Sequence, residues 1–359
     1  MRSLIDFSDL SRAEWDEIYQ RADAIISAPE QFMDVCRGRV ACNLFYEPST
    51  RTNFSFQTAM LRLGGSVFGF ADPNSSSVAK GETLKDTIKI VSNYADVIVM
   101  RTPWEGAAKA ASLYANVPVV NAGDGGHMHP TQTMADLTTI TRLRGGVDGM
   151  TIGLCGDLKN GRTVHSLIKA LAKFRDVRFY LIAPRELAIP DYLRRFMKDN
   201  DMPFVEVTGL EAVIPQLDVL YMTRIQRERF SDPAVYERLK DSYILGPEQM
   251  KLAKEHMCVL HPLPRVNEIS VAVDDDPRAA YFRQALNGKY MRMALILMLL
   301  KEAEENPARE PLTGELRYDL TCRNPRCISA TEQELPQIFR LTDKAANIHR
   351  CIYCEHIAE

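Results

Sequence analysis

No apolar run in this 359-residue chain is long enough to cross a bilayer, and the longest, residues 291–300, is broken by Arg292. The opening MRSLIDFSDL lacks the apolar character of a secretory signal, so a cytoplasmic location and no membrane partner are expected. Positive charge is not in excess: 44 Lys and Arg against 47 Asp and Glu leave a formal net charge of -3. That balance argues against generic nucleic-acid binding. No short-period repeat is present. In a reducing compartment the 8 cysteines should not pair as disulfides. Cys36, Cys42, Cys155 and Cys258 stand among apolar neighbours and suit small buried hydrophobes, whereas the other four crowd the C-terminal end.

What the chain does have is size and ordinary globular composition, 46% hydrophobic and 25% charged residues, enough for two domains or more. The most informative stretch covers residues 45–60. A strand-like run over 40–46 enters a turn at Glu47-Pro48, Ser49-Thr50-Arg51-Thr52 follows, and Phe56, Met60 and Leu63 then recur at helical spacing up to Gly64-Gly65. Hydroxyls and an arginine at a strand-to-helix handover suit an anion. The helix N-terminus offers unpaired N–H groups and the positive end of the dipole, and Arg51 adds a planar fork. The plainer alternative is a hydroxyl N-cap.

Ser11-Arg12-Ala13-Glu14 reads as a capping box ahead of a helix with Trp15, Ile18, Ala22 and Ile25 on one face. Strands are expected over 66–70, 97–100 and 117–120, with helices around Leu84, Ile88 and Val91 and over 106–114. The serine-rich segment 71–81 reads as a mobile loop. The pattern restarts after Gly145-Gly146, with strands over 151–155, 177–182, 204–207, 219–222 and 257–260 and a closing helix over 289–305. Alternating strands and helices specify parallel sheets covered by helices on both faces. The expected fold is therefore α/β, with two doubly wound parallel-sheet domains and a small C-terminal β-rich zinc-binding domain held by four cysteines. The expected boundaries are 1–135 with the return helix 289–305, then 136–288, then 306–359, joined by a charged linker near 302–310.

Ligands of open α/β sheets bind beyond the carboxyl ends of the strands. That rule gathers Thr52, Arg101, His129 and Gln132 from the first unit and Arg162, Arg224, Gln226 and Arg265 from the second. Basic residues concentrated in an acidic chain point to substrates with several negative charges in an interdomain cleft. His127, His165 and His261 are expected to be structural.

Taken together, Ser49-Thr50-Arg51-Thr52, His129-Pro130-Thr131-Gln132 and His261-Pro262-Leu263-Pro264-Arg265 resemble the carbamoyltransferases. The last motif, with Tyr221-Met222-Thr223-Arg224-Ile225-Gln226-Arg227-Glu228-Arg229, resembles the aspartate carbamoyltransferase family in particular. The ornithine-specific branch usually carries cysteine where this chain has Pro262. The resemblance runs through about the first three hundred residues. It implies that Ser49, Thr50, Arg51 and Thr52, helped by Arg101, bind the phosphate of carbamoyl phosphate. It further implies that Thr52, Arg101 and His129 donate to the carbonyl oxygen, and that Gln132 and the carbonyls around Pro262 and Leu263 hold the carbamoyl NH2. Arg162, Arg224 and Gln226 would grip the carboxylates of L-aspartate, and Ser77 and Lys80 would arrive from the neighbouring subunit of a homotrimer. No covalent intermediate and no catalytic cofactor are implied, and departing phosphate is the expected proton acceptor.

Cys322, Cys327, Cys351 and Cys354 form a C-x4-C…C-x2-C set, the pattern of a closed structural Zn2+ site, one per chain. A segment this short would take much of its folding free energy from the metal. The tail resembles the zinc domain of the aspartate carbamoyltransferase regulatory chain, without the nucleotide-binding domain that precedes it there. The implied arrangement is a catalytic chain fused to a zinc module that docks on a catalytic domain, within one trimer or between paired trimers. The competing readings are a transcarbamylase for another amino acid and a non-catalytic zinc-containing scaffold or nucleic-acid-binding protein. An amino-acid panel separates the first, and nucleic-acid binding across a salt series separates the second.

Overall fold

The structure is a computed structural model and is described here for residues 1–227, 230 and 232–358. Glu228 and Arg229, which end the motif beginning at Tyr221, lie outside the described residues.

Two compact units divide the chain, one formed by Met1–Thr131 with Lys289–Glu359, the other by Gln132–Gly288. In the first, helix α1 (Arg12–Ser27) starts at a complete capping box: Ser11 accepts from Glu14 N, and Glu14 accepts from Ser11 N. It buries the face expected from its spacing, with Trp15, Ile18, Ala22 and Ile25. The first sheet has the order β2-β1-β3-β4. It consists of β1 (Val40–Phe45), β2 (Ser66–Phe70), β3 (Val97–Thr102) and β4 (Val119–Asp124), all parallel. Helices α2 (Thr50–Arg62), α3 (Leu84–Val91), α4 (Ala107–Tyr114) and α5 (Pro130–Arg144) follow the successive strands. Val97, Ile98, Val99 and Met100 are all fully buried, as a strand covered on both faces requires.

The second sheet, β7-β6-β5-β8-β9, is also parallel throughout. Its strands are β5 (Thr151–Cys155), β6 (Arg178–Ile182), β7 (Phe204–Val207), β8 (Val219–Met222) and β9 (Cys258–Leu260). Helices α6 (Arg162–Leu171), α7 (Asp191–Asp199), α8 (Pro233–Leu239) and α9 (Pro247–Leu252) connect them, and α10 runs over Tyr281–Glu305. The last helix therefore starts eight residues before the expected 289, because its first turns carry Tyr281 and Gln284 into the core. The segment 71–81, expected as loop, contains two short 3-10 turns, Pro73–Ser75 and Ser77–Lys80, each capped by a side chain, Asp72 and Ser76.

The tail forms an antiparallel sheet of β10 (Leu316–Arg317), β11 (Phe339–Asp343) and β12 (Ile348–Cys351), with a short helix α11 (Ile328–Thr331). It packs within the first unit, on its own chain. Ile328, Leu335, Phe339 and Tyr353 share one buried cluster with Ile88, Ala107 and Ala111 of α3 and α4. Each fully buried large apolar side chain contributes about 1.5–3 kcal/mol. Gly106 shows why the approach can be so close. Its φ is +80°, and a Cβ there would lie 2.3 Å from the Tyr353 carbonyl carbon. Glu105 fastens the edge, pairing with Cys327 as a parallel bridge and accepting from Asn324 Nδ2 at 2.7 Å and Arg326 Nε at 3.1 Å. Among the described residues no helix is long and apolar enough to cross a membrane.

Candidate active site and metal centre

Sheet order places the carboxyl ends of β1, β3 and β4 side by side, and the candidate residues of the first unit follow those ends. Helix α2 begins at Thr50, so Thr50, Arg51 and Thr52 form its first turn. Ser49 is the N-cap residue, yet its side chain makes no capping hydrogen bond, and no acidic residue occupies the first turn. The ordinary-cap alternative is therefore not what this hydroxyl does, and the N–H groups and dipole of a thirteen-residue helix remain available to an anion.

Arg101 is the penultimate residue of β3 and is buried. Its Nη1 lies 3.4 Å from His129 Nε2 and 3.5 Å from the Ala122 carbonyl oxygen, while its Nε lies 3.4 Å from Glu47 Oε2. Burial pushes the Arg101 pKa below its ordinary value; Glu47 opposes this, and the like charge of Arg51 adds to it. Partial desolvation also lowers the pKa of Arg51. Two guanidiniums that repel each other beside a helix N-terminus gain most from a shared anion. Gly123 keeps the space open: with φ +121°, a Cβ there would sit 3.2 Å from Arg101 Nη1 and 3.5 Å from His129 Cδ2. Asp124 shapes the turn before His129 by accepting from Met128 N at 2.9 Å and Gly106 N at 2.8 Å. His127 is structural, held by Asp124 at 3.1 Å and Glu355 at 3.6 Å. Burial opposes its charge, but those two carboxylates raise its pKa well above the ordinary value.

In the second unit Arg162 is the first residue of α6, and Arg224 and Gln226 follow β8. Buried Asp157, just past β5, ties these two segments together. It accepts from Asn160 N at 2.9 Å and from Asn160 Nδ2 at 3.1 Å. Burial raises its pKa, while the Asn160 bonds and the backbone N–H of Gln226 act against that rise. Gln132 Nε2 donates to Asp136 Oδ1 at 2.7 Å. In the 261–264 turn Leu263 adopts a left-handed φ of +53° and is followed by a cis Pro264. Its N–H donates to His261 Nδ1 at 2.7 Å, and His261 Nε2 contacts Glu268 Oε1 at 2.7 Å. His261 is thus structural, as is His165, which lies 2.8 Å from the Leu158 carbonyl and 2.9 Å from the Tyr192 hydroxyl.

Arg265 departs from expectation. Its fork is committed to Asp274, and it stacks over Tyr281 and Phe282, so it braces the turn and is not available as a substrate contact. Ser77 and Lys80 lie on the second 3-10 turn, and both are exposed. Sequence reasoning missed Glu47, Gly123, Asp136 and Asp157. Glu47 and Asp157 do follow directly on predicted strands, the one signal available, whereas nothing in the sequence marks Asp136 inside a helix.

The sulfur atoms of Cys322, Cys327, Cys351 and Cys354 lie within 4.8 Å of one another, and all four residues are buried. Cys322–Cys354 and Cys327–Cys351 are 3.6 Å and 3.9 Å apart, too far for disulfides. A metal held by four thiolates at ~2.3 Å places its sulfurs roughly 3.8 Å apart, and these residues fit that geometry. Cys36, Cys42, Cys155 and Cys258 are buried and free, as expected.

Comparison with known proteins gives three matched regions. Residues 2–142 match the aspartate/ornithine carbamoyltransferase carbamoyl-P binding domain, and residues 148–299 the Asp/Orn binding domain of that family. Residues 315–359 match the metal binding domain of the aspartate carbamoyltransferase regulatory chain. The chain is 58% identical over 303 residues to an aspartate carbamoyltransferase catalytic subunit of Clostridium perfringens, covering 84% of this chain and 99% of that protein. A counterpart from Clostridium novyi is 59% identical over 299 residues, covering 83% and 98%. Among solved structures, the catalytic subunit of M. jannaschii aspartate transcarbamoylase superposes with a TM-score of 0.79 at 46% identity, covering 85% of this chain and 99% of that one. The Trypanosoma cruzi enzyme in complex with N-(phosphonacetyl)-L-aspartic acid gives 0.77 at 42% identity, covering 82% and 94%.

Proposed function

The chain belongs to the aspartate/ornithine carbamoyltransferase family and is a carbamoyltransferase acting on aspartate, and we propose the following roles for its residues. Carbamoyl phosphate binds the first unit, with its phosphate on Ser49, Thr50, Arg51 and Thr52 and on Arg101. The observation that carries this is the free N-terminus of α2 beside two mutually repelling guanidiniums. As the amine of aspartate attacks, negative charge grows on the carbonyl oxygen, and Thr52, Arg101 and His129 donate to it. Preorganised donors at such an oxygen are worth about 3–4 kcal/mol each. Gln132 and the carbonyls of Pro262 and Leu263 accept from the carbamoyl NH2. Arg162, Arg224 and Gln226 hold the two carboxylates of aspartate, for which bidentate arginine contacts are suited. The C–N bond forms as the C–O bond to phosphate breaks, and the departing phosphate takes the proton from the nitrogen. The product is N-carbamoyl-L-aspartate, an intermediate of pyrimidine biosynthesis.

We assign Zn2+ to the four-cysteine site, where it supplies structural cross-linking and no chemistry to the reaction. We also place the enzyme in the cytoplasm as a homotrimer, with Ser77 and Lys80 completing a neighbour's site. In support, Ser77 and Lys80 are exposed, and the exposed Leu61 and Phe68 together line a pocket by edge strand β2. A carbamoyl phosphate assay with aspartate, ornithine and other amino acids, run with native mass and metal analysis, tests these readings. Turnover with aspartate above all others, one zinc per chain and a trimeric mass are expected. Preference for another amine acceptor overturns the substrate assignment.

A further inference from the structure

Asp136 lies on α5, one turn after Gln132, and is completely buried. Two amide nitrogens converge on its Oδ1: Gln132 Nε2 at 2.7 Å and Gln284 Nε2 at 2.5 Å. An oxygen that takes two N–H donors acts as a pure acceptor, so both amides are oriented with NH2 inward. Gln284 then uses its own Oε1 to accept from His261 N at 3.0 Å. His261 in turn holds the N–H of Leu263 and rests against Glu268. The left-handed Leu263 costs about 1–2 kcal/mol, and this chain of bonds is what sustains it. Tyr221 also faces Asp136 and Thr163, the neighbour of Arg162; burial and the charge of Asp136 keep its hydroxyl protonated. One buried network thus runs from Gln132 through Asp136 and Gln284 to the 261–263 turn.

We propose that Asp136 is a positioning residue that sets selectivity for the carbamoyl group. By fixing the NH2 end of Gln132, it points Oε1 outward as an acceptor, and through Gln284 and His261 it registers that acceptor with the carbonyls of Pro262 and Leu263. The inference rests on the assignment of these three residues to the carbamoyl NH2. Acetyl phosphate, in which a methyl group replaces that NH2, leaves the same acceptors unpaired and is rejected for that reason. With asparagine at 136, an NH2 can face Gln132, and the Gln132 amide is free to turn its donor toward substrate.

The experiment compares dissociation constants for carbamoyl phosphate and acetyl phosphate, with kcat and KM, in the full-length enzyme and in Asp136→Asn, Gln132→Ala and the double variant. Asp136→Asn and Gln132→Ala should each lose roughly tenfold of the preference for carbamoyl phosphate, and the double variant should lose no more than either. If Gln132→Ala loses the preference but Asp136→Asn keeps it, Asp136 is only a structural anchor and the proposal fails. If Gln132→Ala keeps it, the assignment of Gln132 itself is wrong and the proposal falls with it. Should Asp136→Asn not fold, Gln284→Met cuts the branch to His261 while leaving Gln132 tied; an unchanged preference there overturns the relay.

Discussion

The two parallel-sheet units carry their site residues in contrasting ways. In the first, the residues that would bind carbamoyl phosphate are poised by electrostatics: a helix N-terminus without a side-chain cap, Arg51 and Arg101 repelling each other, and a glycine that leaves them room. In the second, the residues are poised by buried acceptors behind them: Asp157 under the Arg162 and Gln226 segments, Asp136 and His261 under Gln132 and Leu263. A doubly charged phosphate can be gripped by concentrated charge from almost any angle. A dicarboxylic amine and the carbamoyl NH2 must be oriented, and orientation needs a rigid support.

The sharpest way to break this contrast is to remove charge from the first unit. Arg101→Ala should lower kcat/KM by about 10²–10³-fold or more. Arg265→Met should leave it within about twofold, because that guanidinium is already taken by Asp274. Equal losses in steady-state kinetics would erase the distinction between site and bracing arginines. The tail should answer in stability and not in chemistry. Cys322→Ser, or removal of the metal by a chelator, should abolish metal binding and cost several kcal/mol, as loss of a structural metal typically does. Calorimetry with metal analysis checks this, and an unchanged melting temperature after metal removal would exclude a structural role.

Next in size is a pH effect in the second unit. Burial lowers the His165 pKa from 6.5 to about 4. The unfolded chain therefore binds the extra proton first as pH falls. The contribution of His165 is fully present above pH 6.5 and is lost between there and pH 4, a change on the order of 3 kcal/mol. Denaturation curves of wild type and His165→Asn across that window should converge at low pH; parallel curves would refute it. A smaller loss of function is expected of Asp157→Asn. It should raise KM for aspartate roughly tenfold, as loss of one well-made hydrogen bond does, with kcat and carbamoyl phosphate binding little changed. A fall in kcat alone would mean that Asp157 serves something other than aspartate orientation.

Much of this was legible in the chain itself. The capping box at Ser11, the buried run over 97–100, the strand-to-helix handover at Ser49 and the four-cysteine spacing all depend on residues close in sequence, where propensity and periodicity act directly. Arg265 shows where such reading stops. A strand-end arginine looks the same whether it faces a substrate or an aspartate, and only the fold brings Asp274 to it. The start of α10 at Tyr281 and the capped turns within 71–81 likewise depended on packing and local capping that periodicity does not register.

The sequence alone determined the alternation of strands and helices, the strand-to-helix handover at Ser49 and the spacing of the four cysteines, because each is written in neighbouring residues. Tertiary structure alone decided that Glu105 and Gly106 receive the tail, that Gly123 makes room for Arg101 and His129, and that Asp136 joins Gln132 to a turn more than a hundred residues away. The reason is physical. Burial and hydrogen-bond partners arise from contacts between distant segments, and those contacts exist only once the chain has folded.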